Sequence, residues 1–318
     1  MIHAFALTGP TASGKTAVSI EIAKLLGCEI ISLDSMQIYK GMDIGTAKVT
    51  PAERAAVPHH MIDFLLPSES FSAGEYKNMA LKIAEGIVSR GKIPFFVGGT
   101  GLYLSTVLRP ECEEPPRSDP EYRKRIEETL TSDEEKQKLF ERLRQIDPIS
   151  AERLHYNNTR RVIRALEIYD ATGKTKSYFD ALTKRQNENL KITHVRIDFH
   201  ERENLYKRVD VRVDDMIKEG LLDEVKALLL EGHLDEKTTA AQAIGYKEMI
   251  GVITRGENLS SAIENLKQAT RNYAKRQLTW FRHMESARPV FADDESGSMK
   301  QKDALIKECE RIFKESLN

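Results

Sequence analysis

Short apolar runs alternate with helical patterns through the first third of the chain. Residues 4–7, 29–33 and 93–97 read as buried strands, and 17–26 and 73–89 repeat apolar positions at helical spacing. This alternation predicts βαβ units and a parallel sheet with helices on both faces. Each strand runs into a polar or glycine-rich turn: Thr8-Gly9-Pro10, Asp34-Ser35 and Gly98-Gly99-Thr100-Gly101. Ligands of such sheets bind beyond the carboxyl ends of the strands. Three turns far apart in sequence are therefore expected to meet at one site.

The pattern changes near Pro110, where Pro115, Pro116 and Pro120 break the chain. From Asp119 to Arg144, 15 of 26 residues are charged, 8 acidic and 7 basic. That composition predicts a solvated, salt-bridged helical stretch. Helical segments continue to about Asp180, including 159–169. A strand returns at 195–199, and after it only helices are expected: 205–218, 221–230 and about 259–283. The layout is an α/β core formed by 1–114 and 191–318, with a helical domain inserted at 115–190.

Composition narrows the classes without choosing among them. The chain has 318 residues, 31% charged and 40% hydrophobic, with a net charge of −1. This suits an ordinary globular domain pair. No global field draws it to nucleic acid, so a polyanion partner would need a local patch. No apolar run approaches a membrane span, and no basic n-region or cleavage site precedes the first strand. Cys28, Cys112 and Cys309 are scattered and lack zinc spacing. A cytoplasmic protein without membrane attachment is expected.

The sharpest chemistry lies at Gly9-Pro10-Thr11-Ala12-Ser13-Gly14-Lys15-Thr16, a G-x-x-x-x-G-K-[ST] loop in its strand–loop–helix setting. Its backbone N–H groups form an anion nest at a helix start. Lys15 adds a point charge, and the Thr16 hydroxyl can hold Mg²⁺. Asp34 has three readings: a magnesium ligand, a general base, or a cap on a following helix. Thr100 should point into the same cleft as Lys15 and Asp34. Two basic runs carry no acid of their own: Arg153 to Arg164, and Lys267 to His283, where Tyr273, Trp280 and Phe281 interleave. Basic residues with aromatics suit nucleic acid; a solvated helix face with core aromatics is the alternative. Arg208 and Arg212 share a helix face, with a surface salt bridge as the default expectation.

Together the motifs resemble the tRNA dimethylallyltransferase (tRNA isopentenyltransferase) family of bacterial type. The matching stretches are GPTASGKT (9–16), DSMQIYKGMDIGTAK (34–48), PHHMID (58–63), VGGTGLY (97–103), NNTRRVIRALEIY (157–169), QAIGYKE (242–248) and RNYAKRQLTWFR (271–282). The resemblance implies a P-loop kinase-like parallel sheet with an inserted all-helical domain. It also implies that the loop at 9–16 cradles the diphosphate of dimethylallyl diphosphate with Mg²⁺, the metal held partly by Thr16. The implied acceptor is the exocyclic amine of the adenine 3′-adjacent to the anticodon of tRNA. By similarity Asp34, Thr100 and Arg212 are catalytic. Contacts to the tRNA anticodon stem-loop are implied for Asp34, Ser35, Met36, Gln37, Thr100, Arg123, Asn157, Asn158, Thr159, Arg160, Arg161, Gln242, Gly245, Arg271, Lys275, Arg276 and Gln277. A monomer is expected. The rival reading is a small-molecule P-loop kinase that binds ATP; against it, no clear lid-arginine pattern or purine-reading motif is visible.

Overall fold

The computed structural model describes residues 1–110, 112–183, 187–236 and 238–317. Its strands are β1 (Ile2–Thr8), β2 (Cys28–Leu33), β3 (His59–His60), β4 (Ile93–Gly98), β5 (Leu190–Asp198) and β6 (Ala287–Phe291). All pair in parallel, in the order β3-β2-β4-β1-β5-β6. The central strands are covered on both faces, which is why β2 and β4 read as continuous rather than alternating apolar runs. β2, β4 and β1 are neighbours, so the turns after Leu33, Gly98 and Thr8 emerge side by side at one end of the sheet.

Two strands depart from the sequence reading. β3 is a two-residue edge strand, and β6 adds a sixth strand beside β5 where only helices were expected. β6 contains Pro289, which cannot donate to a ladder; the outermost position of the sheet tolerates it.

The helices are α1 (Lys15–Leu26), α2 (Pro51–Ala56), α3 (Ala73–Ser89), α4 (Gly101–Val107), α5 (Pro120–Glu127), α6 (Asp133–Ile146), α7 (Pro148–Ala151), α8 (Thr159–Thr172), α9 (Lys176–Leu182), α10 (Arg202–Glu219), α11 (Leu221–Leu230), α12 (Tyr246–Arg255), α13 (Leu259–Arg282) and α14 (Lys302–Glu315). α3 starts where Ser72 and Glu75 form a reciprocal capping box. The charged stretch expected to be helical holds two helices. Ser132 accepts the Glu135 N–H and starts α6 anew, splitting it from α5.

The chain forms two compact units, Met1–Val107 with Asn189–Asn318, and Leu108–Glu188. The second is all-helical, packed on Leu143, Ala151, Val162, Ala165 and Leu166. Its buried Glu167 binds the Asp119 N–H, Arg123 and Arg164. The first unit has two cores. One joins the sheet to α1, α13 and α14 through residues such as Phe5, Phe95, Leu278 and Phe313. The other packs α10 to α13 against Ile38, Tyr39 and Met42. Cys28 and Cys309 are buried free thiols, pushed by burial up to about 12. Among the described residues no helix is long and apolar enough to cross a membrane.

Candidate functional site

The loop at 9–16 leaves β1 and enters α1 through Gly14. The Thr11 N–H is taken by Gln277 Oε1 at 2.8 Å, and the Ser13 N–H by Pro10 O at 3.3 Å. Lys15 folds back over the loop, its Nζ donating to Pro10 O at 2.6 Å and Ser13 Oγ at 3.4 Å. Burial, and then the Arg212 guanidinium, lower the Lys15 ammonium to about 7, with Asp34 opposing. Two cations thus face one partly desolvated space, an arrangement that favours an incoming anion.

α10 supplies the second cation. Arg212 lines the cleft, its Nε buried without a hydrogen-bond partner. Burial holds its pKa below the usual range, while Asp34 and Glu219 pull it upward. One turn earlier, Arg208 Nε donates to Ala12 O at 2.7 Å and steadies the loop, where Ala12 adopts a φ of 61°. The surface salt bridge expected for this arginine pair is therefore absent among the described residues. The apolar stripe of α10 packs inward and turns the arginines toward the phosphate loop.

Asp34 follows β2 directly and lines the same cleft. Its Oδ1 accepts N–H groups of Met36 at 2.8 Å and Gln37 at 3.2 Å. A turn follows rather than an α-helix, so the helix-cap reading gives way to a carboxylate that shapes residues 35–37. Burial pushes the Asp34 carboxyl up, against the two backbone N–H groups, Lys15 and Arg212. The Ser35 N–H donates to Thr100 Oγ1 at 3.2 Å, joining this turn to the one after β4. Gln37 is held in place as its Nε2 donates to Thr46 O and Ala47 O at 3.2 and 3.3 Å. Ser35 and Met36 line the cleft beside it.

The cavity has a volume of about 350 Å³. Beyond its polar floor it is apolar, with Val97, Val213, Met216, Ile244 and Leu266 among its walls. A second cavity of about 600 Å³ shares Lys15, Thr16 and Arg212 with it. Thr16 therefore lines both. Among the described residues no cluster of three His, Cys, Asp or Glu could cage a metal. One hydroxyl and one carboxylate in a phosphate site suit Mg²⁺, which keeps waters and substrate oxygens in its shell.

One contributor, Glu224, carried no local signal. Glu224 on α11 accepts the N–H groups of Asp43, Ile44 and Gly45 at 2.9, 2.7 and 3.2 Å, and the Tyr246 hydroxyl at 2.6 Å. It thereby pins the wall formed by Gly45, Thr46 and Ala47. Tyr273 also lines the cleft beside Thr100 and Gln277; burial first, then Asp34, raise its pKa.

The remaining candidates fall in three places. On α13, Lys275 and Arg276 are exposed, with the Arg276 guanidinium 5.7 Å from the centre of the Tyr273 ring. Arg271 is paired with Asp210 at 2.6 Å, and Lys267 with Asp214 at 2.8 Å, so α10 supplies the acids this run lacks in sequence. Gln277 is buried, both ends of its amide used inside the protein. Near the cleft mouth, Gln242 is exposed with Nε2 donating to Glu236 O at 2.8 Å, and Gly245 is the buried N-cap of α12. In the helical unit, Asn157, Asn158, Arg160 and Arg161 are exposed at the start of α8, with Thr159 half-buried. There Arg123 pairs with Glu167 at 3.3 Å.

Comparison with known proteins identifies the family. The sequence profile of the IPP transferase family matches residues 37–284. The tRNA dimethylallyltransferase of Thermoanaerobacter sp. is 41% identical over 302 residues, 95% of each chain. That of Anoxybacillus flavithermus is 49% identical over 278 residues, 87% of this chain and 86% of the relative. The crystal structure of the Staphylococcus epidermidis tRNA delta(2)-isopentenylpyrophosphate transferase superposes with a TM-score of 0.71 at 40% identity, covering 99% of this chain and 100% of that one. A eukaryotic dimethylallyltransferase captured acting on tRNA gives 0.76 at 32% identity, covering 93% of this chain and 75% of that one. On that breadth of match, the chain belongs to the IPP transferase family.

Proposed function

We propose that this protein is a tRNA dimethylallyltransferase. It moves the dimethylallyl group of dimethylallyl diphosphate to the exocyclic amine of the adenine 3′-adjacent to the anticodon, releasing diphosphate. The observation that carries this reading is one cleft holding a raised-pKa carboxylate, Asp34, opposite two cations, Lys15 and Arg212. Proton removal and leaving-group charge are thereby served a few side chains apart.

An adenine amine is a weak nucleophile because its lone pair is delocalised into the ring. Asp34 accepts the amine proton, and a raised pKa brings that carboxylate nearer the working pH. Thr100 orients the amine. The amine nitrogen bonds to the allylic carbon as the carbon–oxygen bond breaks, and the electron pair leaves with the diphosphate. Lys15, Arg212 and the start of α1 stabilise the charge that grows there. Mg²⁺, held through Thr16 and diphosphate oxygens, would add further neutralisation when bound. The proton passes from Asp34 to solvent.

The acceptor adenine must leave its stack to reach Asp34, and anticodon-loop bases can be splayed out and read on their edges. Ser35, Met36 and Gln37 lie where that base would enter. Exposed Lys275 and Arg276, with Arg123 and the 157–161 stretch of the helical unit, supply the contacts proposed for the anticodon stem-loop. The proposed setting is a monomer in the cytoplasm.

The test is transfer of labelled dimethylallyl, with Mg²⁺, to unmodified tRNA carrying that adenine, beside a parallel measurement of ATP turnover. Label in the tRNA without ATP hydrolysis supports the reading. ATP consumption without label would replace it with a P-loop kinase.

A further inference from the structure

α13 lays three side chains, Tyr273, Gln277 and Trp280, against the turn that follows β4. The buried Gln277 spans two loops. Its Oε1 accepts the Thr11 N–H at 2.8 Å, and its Nε2 donates to Gly99 O at 3.0 Å. The Tyr273 hydroxyl lies beside Thr100 and Gln277. The turn is shaped to receive them. A Cβ on Gly99 would sit 2.2 Å from Gln277 Nε2, and one on Gly101 would sit 2.2 Å from the Trp280 ring.

We infer that Gln277 is a positioning residue: it ties the loop that cradles the leaving group to the loop that carries Thr100, and so sets the distance between donor and acceptor. This rests on the transferase reading above. The physical case is that displacement requires both partners in near-attack geometry, where a shift of about 1 Å can cost about 100-fold. Thr11 and Gly99 belong to the turns after the neighbouring strands β1 and β4, whose ladder ends at Thr8 and Gly98; beyond that ladder Gln277 links the two turns. A primary amide carries an acceptor oxygen at one end and a donor NH2 at the other, so a single side chain can bond to both turns. Buried and bonded to both turns, Gln277 presents little of its amide to a base edge. The residue that resembles a tRNA contact in sequence therefore acts from inside the protein.

The inference separates from its rivals in a set of variants. Gln277→Glu keeps an oxygen for the Thr11 N–H but sets a second oxygen against Gly99 O. Gln277→Ala removes both bonds. Both should lower the single-turnover rate at saturating substrates by about 10- to 100-fold, with tRNA affinity by filter binding changed less than twofold. Gly99→Ala should expel the Gln277 amide and lose a similar factor. The double variant Gly99→Ala with Gln277→Ala should be no worse than either single one, because the same tether is broken once. Faster hydrogen exchange at the Thr11 amide in Gln277→Ala would report the released loop without any catalysis.

A loss of tRNA affinity at an unchanged saturating rate would overturn the inference and return Gln277 to the RNA interface. Multiplying losses in the double variant would overturn it as well. If the parent protein transferred no dimethylallyl at all, the transferase reading would fall instead, while the Thr11 exchange result would still stand.

Discussion

Replacing Arg212 by methionine sets stability against activity. The buried Arg212 Nε has no protein hydrogen-bond partner, and it lies beside Lys15, whose own pKa is held down to about 7. An unsatisfied buried donor costs about 1–3 kcal/mol, more for a charged group. Methionine fills similar space, needs no partner and removes the repulsion on Lys15; the lost attraction to Asp34 offsets part of this gain. The ligand-free variant should therefore melt roughly 2 °C or more above the parent. Catalysis should move the other way. A donor aimed at leaving-group charge is worth about 3–4 kcal/mol, so the rate should fall about 100-fold or more. The assay pairs a thermal melt without ligands with single-turnover transfer at saturating diphosphate substrate. A variant that melts several degrees lower, with a rate within threefold of the parent, would refute the reasoning and make Arg212 a structural residue.

Other outcomes follow from the same geometry. Asp34→Asn keeps an oxygen for the Met36 and Gln37 N–H groups but cannot take a proton. It should lose at least about 100-fold in rate, as expected for general base catalysis, and keep tRNA affinity, whereas Asp34→Ala should also loosen the turn; equal activity of the Asp34→Asn variant and the parent would end the general-base assignment. Lys15, lowered to about 7, is largely neutral at pH 8 in the free protein and recharges against the diphosphate. Calorimetry at pH 8 in buffers of different ionisation enthalpy should show proton uptake on binding that Lys15→Met abolishes; the same uptake in both proteins would contradict the depressed lysine. Because the unfolded lysine stays charged to about 10.4, this residue should also make the ligand-free fold more stable as pH rises from about 7. Arg271→Ala with Lys275→Ala should weaken tRNA binding and reduce the salt slope by about one rather than two, since Arg271 is already paired with Asp210; an unchanged slope would take α13 out of the interface.

How much was legible depended on whether a signal was local. Lys15 to Leu26 shows itself as a helix because a glycine-rich loop precedes it and apolar residues recur along it. Ala73 to Ser89 is bounded by its capping box. The short strands were not legible in this way. Two histidines at 59–60 gain strand geometry only by pairing with Ile30 and Ile31. Ala287–Phe291 contains a proline that argues against a strand until its position at the sheet edge is known. Likewise, the basic run of α13 reads as acid-free along the chain, and its acids come from the neighbouring helix α10.

By itself the sequence determined the phosphate loop, the strand-end turns and the interruption of the α/β pattern by a helical segment, because each is written in residues adjacent along the chain. Tertiary structure alone decided which groups face each other. It turned Arg208 onto the backbone of Ala12 and Arg212 into the cleft. It brought Glu224 to the turn at 43–45, and Gln277 between the loops of Thr11 and Gly99. Those contacts join residues up to 266 positions apart, and their energies depend on burial and direction, which exist only once the sheet has set its strand order.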